Sequence, residues 1–389
     1  MVTMNFVFLS PHFPPNYYQF CVHLRNLGAN VLGLADEPYD NLHPDLKNAL
    51  TEYYWVPNLH NYDDLQRALG YFTHRYGKLD GLESHSEYWM ETEARLRTDF
   101  NIDGIKVVDL PAIKHKSLMK AKFKAAGVET APGIVIQSAE QACQFANEIG
   151  FPVIAKPDIG VGAAKTYKFN TMAELDVFLD PLPPVEYFLE KYVTGTIQTF
   201  DGLTDHNGDV VFLNSLVFNQ GIMEAVNDDT EVYYYTLRTI PRDLEKAGRR
   251  VVKEYGLRKR FFHFEFFRTP EGKLIGLEVN MRPPGGLTTD MFNFANDIDV
   301  YYEWANVILH NKFTSSYSRP YHCCYIGRKW NRTYKHTHNA IMSRYGAKIV
   351  HYEEISGIFS AALGNFGYLA RSPEMDDIME IAGYILEKS

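Results

Sequence analysis

The sequence predicts an α/β (α+β) protein, and three observations carry that prediction. A strand, helix, strand pattern over residues 5–36 is typical of a parallel βαβ unit. A later hairpin, at residues 261–285, carries acidic residues on strands that should be buried. The chain has 389 residues, 46% of them apolar and 14% aromatic, which is enough for two or three globular domains.

The N-terminal pattern begins with a predicted strand at 5–10, followed by a helix at 17–28 and a second strand at 29–36. Ligands of such sheets bind beyond the carboxyl ends of the strands. We therefore expect the loops at 10–16 and 83–89 to face a site. The alternative is that their polar residues are simply solvated.

The next segment, residues 115–169, alternates helix and strand again, and its strand "FPVIAKP" carries Lys156. A loop with Gly160 and Gly162 follows. Small residues let backbone N–H groups approach phosphate oxygens, and the neighbouring lysine supplies a countercharge. The sequence lacks the G-K-[ST] of a Walker loop, so a phosphate-binding loop and an ordinary flexible loop both remain open.

A further strand, "EYFLEKYVTG" at 186–195, becomes polar at Glu190 and Lys191. Backbone groups at such a strand end can pair with the edge of an adenine ring. An ordinary strand end is the alternative.

The hairpin at 261–285 turns at "TPEGK" (269–273), and its strands alternate faces with period 2. Glu265 should therefore lie close to Glu278 or Asn280. Two carboxylates held close together repel each other unless a cation lies between them. An all-oxygen set of two glutamates and one asparagine suits Mg²⁺. The alternative is a half-exposed ladder with a solvated polar face.

Composition excludes several classes of function. The net charge of −9 and a pI near 5.9 leave no basic stripe for nucleic acid. Four scattered cysteines show neither zinc spacing nor a disulfide framework. The N-terminus lacks a basic n-region and a long apolar run, so we expect no signal peptide, no membrane span and a cytoplasmic location.

The order of these elements along the chain resembles the ATP-grasp superfamily, in particular its carboxylate–amine ligases of the biotin-carboxylase-like and carbamoyl-phosphate-synthase large-subunit-like kind. The resemblance rests on Lys116, Lys156 with its glycine loop, "LEKYV", and the acidic hairpin ending in "LEVNMRP". It implies a Rossmann-like pre-ATP-grasp domain at 1–110 and an ATP-grasp domain at 111–312. Within the latter it implies a small lid subdomain at about 120–190 and a large subdomain at about 191–312. Residues 313–389 would form a small C-terminal α/β cap.

The resemblance also implies ATP and Mg²⁺ as cofactors, with Mn²⁺ as an alternative ion, and it assigns roles to residues. Those expected to bind ATP are Lys116, Lys156, Gly160, Gly162, Glu190, Lys191, Val193 and Gln198. Those expected to act in catalysis are Lys156, Arg238 and Arg282, and the metal ligands would be Glu265, Glu278 and Asn280. One departure concerns the acidic residue that commonly holds the ribose, because Ile197, Gln198 and Thr199 stand there; Gln198 or Asp201 would replace it.

The implied activity joins a small-molecule carboxylate, activated as an acyl phosphate, to an amine or a similar nucleophile. A kinase of the same fold and a non-catalytic nucleotide-binding regulator are the alternatives. We expect no nucleic-acid or membrane partner and leave a homodimer open. The substrate should be read by the loops at 10–16 and 83–88, by residues 219–229 and by Arg328.

Overall fold

The N-terminal unit is a four-stranded parallel sheet with helices packed on it. The computed structural model describes residues 3–160, 165–221 and 230–389. The strands are β1 (Asn5–Leu9), β2 (Asn30–Ala35), β3 (Glu52–Trp55) and β4 (Gly81–Glu83), in the order β3-β2-β1-β4. The helices are α1 (Tyr18–Asn26), α2 (Pro44–Ala49), α3 (Tyr62–Tyr76) and α4 (Met90–Asp99), with single 3₁₀ turns at Tyr39–Asn41 and Val107–Asp109. The parallel pairing of β1 with β2 confirms the predicted βαβ unit.

A second sheet, also of four strands, is antiparallel and has its own core, and we call it the small sheet. Helices α5 (Leu110–Lys114) and α6 (Lys116–Ala125) lead to β5 (Gly133–Val135), β6 (Val153–Pro157), β7 (Tyr167–Phe169) and β8 (Tyr187–Lys191), in the order β5-β8-β6-β7. Helices α7 (Ala139–Ile149) and α8 (Met172–Leu179) cover it. Ser138 caps α7 by accepting a hydrogen bond from the Gln141 backbone N–H at 3.1 Å, as its position before an apolar periodic segment predicts.

The largest sheet has nine strands and takes residues from both the middle and the end of the chain. Its strands are β9 (Thr196–Thr204), β10 (Val210–Asn214), β11 (Leu216–Phe218), β12 (Tyr233–Thr236), β13 (Phe261–Arg268), β14 (Leu274–Asn280), β15 (His322–Arg328), β16 (Ile349–Glu354) and β17 (Phe366–Ser372). The order is β14-β13-β9-β11-β12-β15-β17-β16, with β10 paired to β9. The helices around it are α9 (Arg242–Tyr255), α10 (Thr288–Asn296), α11 (Val300–His310), α12 (His338–Tyr345), α13 (Ser360–Leu363) and α14 (Met375–Leu386).

The C-terminal residues extend this sheet, because β15 pairs with β12. The predicted closing strand and helix are present as β17 and α14. The predicted boundary at residue 312 therefore does not coincide with a sheet boundary, and the division into domains stays a prediction.

The acidic hairpin is formed by β13 and β14, with Glu265 directly opposite Glu278 and His263 opposite Asn280. A bulge follows Glu265. Phe262, Phe264 and Phe266 are all fully buried, so the alternate residues of β13 point to the other face. The period-2 pattern thus delivers the polar residues to one side of the sheet.

No helix in the three described stretches is both long enough and apolar enough to cross a lipid bilayer.

Candidate active site

A cavity of about 410 Å³ lies between the small sheet and the large one, within the size range of ligand sites. Most of the residues predicted to act on ATP, metal and phosphoryl group line it. They are Lys116, Lys156, Glu190, Lys191, Val193, Glu265, Glu278, Asn280 and Arg282. Residues more than 160 positions apart in the chain are thus brought to one place.

A second cavity, of about 440 Å³, lies between the N-terminal sheet and the start of β13. Its buried charges are paired with one another: Arg260 bonds to Glu83 at 2.6 Å, and Arg97 contacts Glu83 at 3.4 Å. None of the predicted ATP, metal or catalytic residues lines it. We therefore take the first cavity as the site.

Lys116 is positioned by the start of its helix. Asp158, just after β6, accepts hydrogen bonds from the Ser117 backbone N–H at 2.8 Å and from the Ser117 hydroxyl at 3.0 Å. A carboxylate at a helix N-terminus satisfies free N–H groups and favours the dipole. Asp158 also pairs with His115 Nδ1 at 2.8 Å, so the helix of Lys116 is fixed to the strand of Lys156.

Glu190 lies between two lysines rather than facing the cavity alone. Its carboxylate contacts Lys156 Nζ at 2.6 Å and Lys120 Nζ at 2.9 Å, and all three side chains are buried. Burial alone would raise the pKa of Glu190, but the two ammonium groups outweigh it and bring the pKa to about 2. Burial likewise opposes the charge on Lys156, yet Glu190 and Glu278 raise its pKa overall.

The two hairpin carboxylates, Glu265 and Glu278, face each other on paired strands. Burial raises the pKa of Glu278; among the charges around it, Lys116 at 4.0 Å lowers that pKa and Glu265 raises it further. Facing carboxylates with an adjacent Asn280 amide oxygen match the few protein oxygens that Mg²⁺ takes. Among the described residues no group of three or more His, Cys, Asp or Glu could hold a metal by itself. Two carboxylates and one amide oxygen fill only part of the octahedral shell of Mg²⁺, so an ion held here would also take oxygens from phosphate and water.

Glu265 contacts the buried His263, which in turn contacts Asp201 on the neighbouring strand. His263 Nε2 lies 3.1 Å from Glu265 Oε1, and His263 Nδ1 lies 2.6 Å from Asp201 Oδ1. Burial opposes the imidazolium, but Asp201 and Glu265 raise the pKa of His263 to about 9. His263 lowers the pKa of Glu265 against the effect of burial. The imidazole thus keeps Glu265 ionised and fixes its direction.

Arg282 sits where the hairpin strand leaves the sheet. Its guanidinium donates to Asn280 Oδ1 at 3.3 Å and to the Pro283 carbonyl at 2.8 Å. Its Nε lies 3.5 Å from Glu87 Oε2, in the loop at 83–89 that was predicted to face a site. Arg260 holds the same strand end by donating to the Met281 carbonyl at 2.7 Å.

Several predicted residues are placed differently. Gln198 does not line the cavity, and its side-chain oxygen accepts a hydrogen bond from Arg268 Nε at 3.3 Å. Asp201, the other ribose candidate, is fully buried against His263. Arg238 points away, because its guanidinium donates to the Arg319 and Pro373 carbonyls at 3.3 and 2.7 Å.

The glycine loop is only partly described. Gly160 is outside the cavity lining, but its carbonyl accepts a hydrogen bond from Lys116 Nζ at 3.1 Å. Gly162 and most of the predicted substrate segment 219–229 lie outside the described residues. Arg328 donates to the Ile385 carbonyl at 2.8 Å, away from the cavity.

At the expected adenine end, the side chain of Lys191 has a structural role. Its Nζ donates to the carbonyls of Ile149, Gly150 and Phe151 at 2.9–3.3 Å. Its backbone N–H donates to the Pro132 carbonyl at 3.0 Å. Apolar side chains from both sheets line this end of the cavity, among them Ile154 and Leu277. Such surfaces can sandwich a planar ring.

Sequence reasoning missed three residues that the structure brings to the site, and two of them carried a signal in the sequence. Lys120 is four residues after Lys116 on one helix, so both lysines share a face. His263 is two residues before Glu265 on one strand face. Asp158 follows a strand directly and reaches a helix start, which is a capping position that only the tertiary fold creates.

Comparison with family models gives two matches. A model described as an ATP-grasp domain matches residues 149–290, and a model of the ATP-binding domain of the carbamoyl-phosphate synthase L chain matches residues 115–179. The carbamoyl phosphate synthase large chain of Deinococcus deserti is 26% identical over 178 residues, covering 43% of this chain and 17% of that protein. An L-arginine-specific L-amino acid ligase from Bacillus subtilis is 22% identical over 275 residues, covering 65% of each chain. The chain thus spans less than a fifth of the synthase and about two thirds of the ligase.

Solved structures resemble the chain over nearly its whole length. An L-amino acid ligase from Bacillus licheniformis superposes with a TM-score of 0.76 at 12% identity, covering 99% of this chain and 97% of that one. An N5-carboxyaminoimidazole synthetase from Staphylococcus aureus gives a TM-score of 0.72 at 12% identity, covering 98% and 97%. At such identities the likeness shows the fold. Together with the family models, which match residues 115–179 and 149–290, it confirms the predicted ATP-grasp fold class.

Proposed function

We propose that this chain, a member of the ATP-grasp superfamily, is an ATP- and Mg²⁺-dependent ligase that joins a small-molecule carboxylate to an amine. One observation carries the proposal. Two lysines, two facing glutamates, an asparagine and an arginine, brought together from one helix, three strands and the turn after the last strand, line a single cavity. A protein that only binds a nucleotide has no need for the whole set.

Lys116 and Lys156 would contact the phosphates of ATP. Lys156 Nζ is held by Glu190 at 2.6 Å, which fixes its direction before a nucleotide arrives. Preorganised charge costs no reorganisation when the reaction proceeds. Glu190 would therefore act through the two lysines, and adenine would be bound by the apolar surfaces and backbone nearby.

Glu265, Glu278 and Asn280 would hold Mg²⁺, with His263 orienting Glu265. The ion, when bound, neutralises charge on the phosphates. Mn²⁺ has similar ligand preferences and should support turnover in its place.

Arg282 would hold the group that is transferred. A carboxylate oxygen of the substrate attacks the γ-phosphorus, the bond from that phosphorus to ADP breaks, and an acyl phosphate forms. The amine nitrogen then attacks the acyl carbon, phosphate leaves and the amine proton passes to solvent. The protein supplies positions and charges and no nucleophile.

The likeness to L-amino acid ligases supports amino acids as one or both substrates. We infer a small-molecule carboxylate and an amine, and a homodimer as the assembly to be tested first.

The test is an assay with ATP, Mg²⁺, a panel of carboxylic acids and hydroxylamine, which captures acyl phosphates as hydroxamates. We expect ADP, phosphate and hydroxamate in equal amounts for at least one acid. Arg282→Ala should keep ATP affinity within a few-fold and lose hydroxamate formation by on the order of 10²-fold. Arg258→Ala, at an exposed position before β13, is the matched control. Equal losses of affinity and turnover in Arg282→Ala would assign Arg282 to nucleotide binding alone.

A further inference from the structure

The cavity has two chemically different ends. The lysines and glutamates described above gather at one end. Beyond Arg282, five side chains form what we call the apolar wall: Phe218, Tyr234, Phe359, Ala362 and Leu363. Pro284, Gly285, Gly286 and Thr288 line the cavity between Arg282 and this wall, so the two regions are continuous.

The wall contacts the turn that follows Arg282. Tyr234 Oη lies 3.2 Å from Thr288 Oγ1. A Cβ built on Gly286, which has a φ of +64°, would lie only 2.6 Å from Leu363 Cδ1. A group attached to a carboxylate at Arg282 would therefore meet the wall directly.

The wall is also rigid. Tyr234 stacks between Phe218 and Tyr325, with ring centroids 4.8 and 5.1 Å away. Phe359 stacks on Phe13 of the N-terminal loop at 5.5 Å. The Leu363 carbonyl accepts a hydrogen bond from the Tyr325 hydroxyl at 2.8 Å, which fixes the backbone of this residue.

The wall offers no partner to a charged substituent. The Tyr234 hydroxyl of the wall already bonds to Thr288 Oγ1, which in turn donates to the Gly285 carbonyl at 2.7 Å. Burial raises the pKa of the Tyr234 hydroxyl, so it stays neutral. Of the described residues that line this end, none carries an ionised side chain beyond Arg282 itself. An ionised or strongly polar substituent would lose its hydration here without compensation.

We propose that the carboxylate substrate carries an uncharged, apolar side group that packs on the apolar wall, and that Leu363 sets the size of this group. The inference rests on the proposed function, since it takes Arg282 as the anchor of the carboxylate. Each methylene added to the side group should increase the affinity by burying more apolar surface, until the group reaches Leu363.

The test measures binding in the presence of ADP and Mg²⁺, so that it does not depend on turnover. Calorimetry compares two pairs of the same shape: L-leucine with L-aspartate, and 4-methylpentanoate with succinate. We expect the apolar member of at least one pair to bind on the order of 10²-fold more tightly. Equal or tighter binding of the charged member overturns the inference, while hydroxamate formation from that acid would leave the ligase proposal standing.

The second measurement concerns the size limit. Leu363→Ala should lower the affinity for the leucine-sized acid by several-fold and raise it for a phenylalanine-sized one, because space opens beside Gly286. Ile358→Ala, five residues earlier and 76% exposed, is the matched control. Leu363→Val makes the smaller change should the alanine variant unfold. An unchanged preference between the two acids in a folded Leu363 variant, with ADP binding retained, overturns the role of Leu363.

Discussion

Single side chains decide how much positive charge the cavity offers to a nucleotide. Lys116, Lys120 and Lys156 all reach it, and the carboxylate of Glu190 neutralises part of that charge. Removing one member of such a buried group leaves the others without compensation, which costs more than the pair contributes. The lysines and Glu190 are therefore best understood as one unit.

Lys156→Ala should weaken ATP binding by on the order of 10- to 100-fold and reduce turnover with it, because a directed charge contact to phosphate is lost. Lys122→Ala, on the helix of Lys116 but paired with Glu254 at 3.0 Å, should leave both unchanged. Equilibrium binding of a fluorescent ATP analogue, alongside ADP release, measures the two quantities. Unaltered nucleotide affinity in Lys156→Ala would assign this lysine a structural role.

At this scale the sequence predicts which residues face the cavity better than what they touch. Period 2 along β13 and β14 correctly predicts that Glu265 meets Glu278. The family resemblance implies a role in ATP binding for Glu190, and the structure adds that its carboxylate pairs with two lysines. The contact with Lys120 could not be predicted, because Lys120 on α6 and Glu190 on β8 are 70 residues apart in the chain and meet only when the helix packs on the sheet.

Among the elements, the hairpin of β13 and β14 contributes most to the site. One face of β13 packs phenylalanines into the core, and the other presents His263 and Glu265 to the cavity. The bulge after Glu265 ends this regular alternation, as bulges near sites often do. The carboxylates are thus carried by backbone that the core holds in place.

Glu278→Gln should abolish ATP turnover and leave the fold intact, because an amide lowers the charge that retains Mg²⁺ while keeping the size of the side chain. Glu271→Gln, in the exposed turn of the same hairpin, should behave like the unmodified protein. Steady-state turnover across a Mg²⁺ titration, with circular dichroism for the fold, makes the comparison. Normal turnover in folded Glu278→Gln protein contradicts the metal assignment.

Element by element, helices and strands follow from local patterns, but their pairing does not. The predicted strands around Lys156 and Glu190 exist, yet their order β5-β8-β6-β7 could not be read from the chain, because it depends on long-range contacts. The sequence predicts strands in the C-terminal residues but not their partner, and the structure pairs β15 with β12 of the large sheet.

For the molecule as a whole, the contact between the N-terminal sheet and the large sheet is both charged and aromatic. Arg260 at the start of β13 bonds to Glu83 at the end of β4. His85, two residues later, is enclosed by aromatic rings, with Phe20 at 4.3 Å and Trp304 at 4.7 Å between centroids. Burial lowers the pKa of His85 to about 3, although Glu83 acts in the opposite direction.

This contact should make stability depend on pH. The folded protein keeps His85 neutral, whereas the unfolded chain takes up a proton below about pH 6.5, so stability falls as pH drops from 6.5 towards 3. His85→Phe removes this effect. We expect the unfolding free energy of the unmodified protein to decline relative to the variant by up to about 1.4 kcal/mol per pH unit in that range.

Urea unfolding at pH 7.5, 6.5 and 5.5 measures the difference. His74→Phe, at an exposed position on α3, controls for the loss of one histidine. Parallel pH profiles for His85→Phe and the unmodified protein would show that His85 does not carry the effect.

The superfamily could be predicted because its signature is an order of short motifs, and order survives in the sequence. The substrate could not, because the apolar wall collects Phe218, Tyr234 and Leu363 from three distant segments with no shared pattern. Each of these residues looks like ordinary core in the sequence. Only the fold brings them to the cavity that Arg282 also lines.

The central claim is that a carboxylate is activated by transfer of the γ-phosphoryl group. The most direct measurement uses a substrate acid labelled with ¹⁸O in its carboxyl group, incubated with ATP, Mg²⁺ and the amine, followed by mass spectrometry of the products. The account predicts one ¹⁸O atom in each inorganic phosphate released and one fewer in the amide product. Phosphate without the label, or label found in AMP, would contradict the acyl phosphate and with it the proposed ligase.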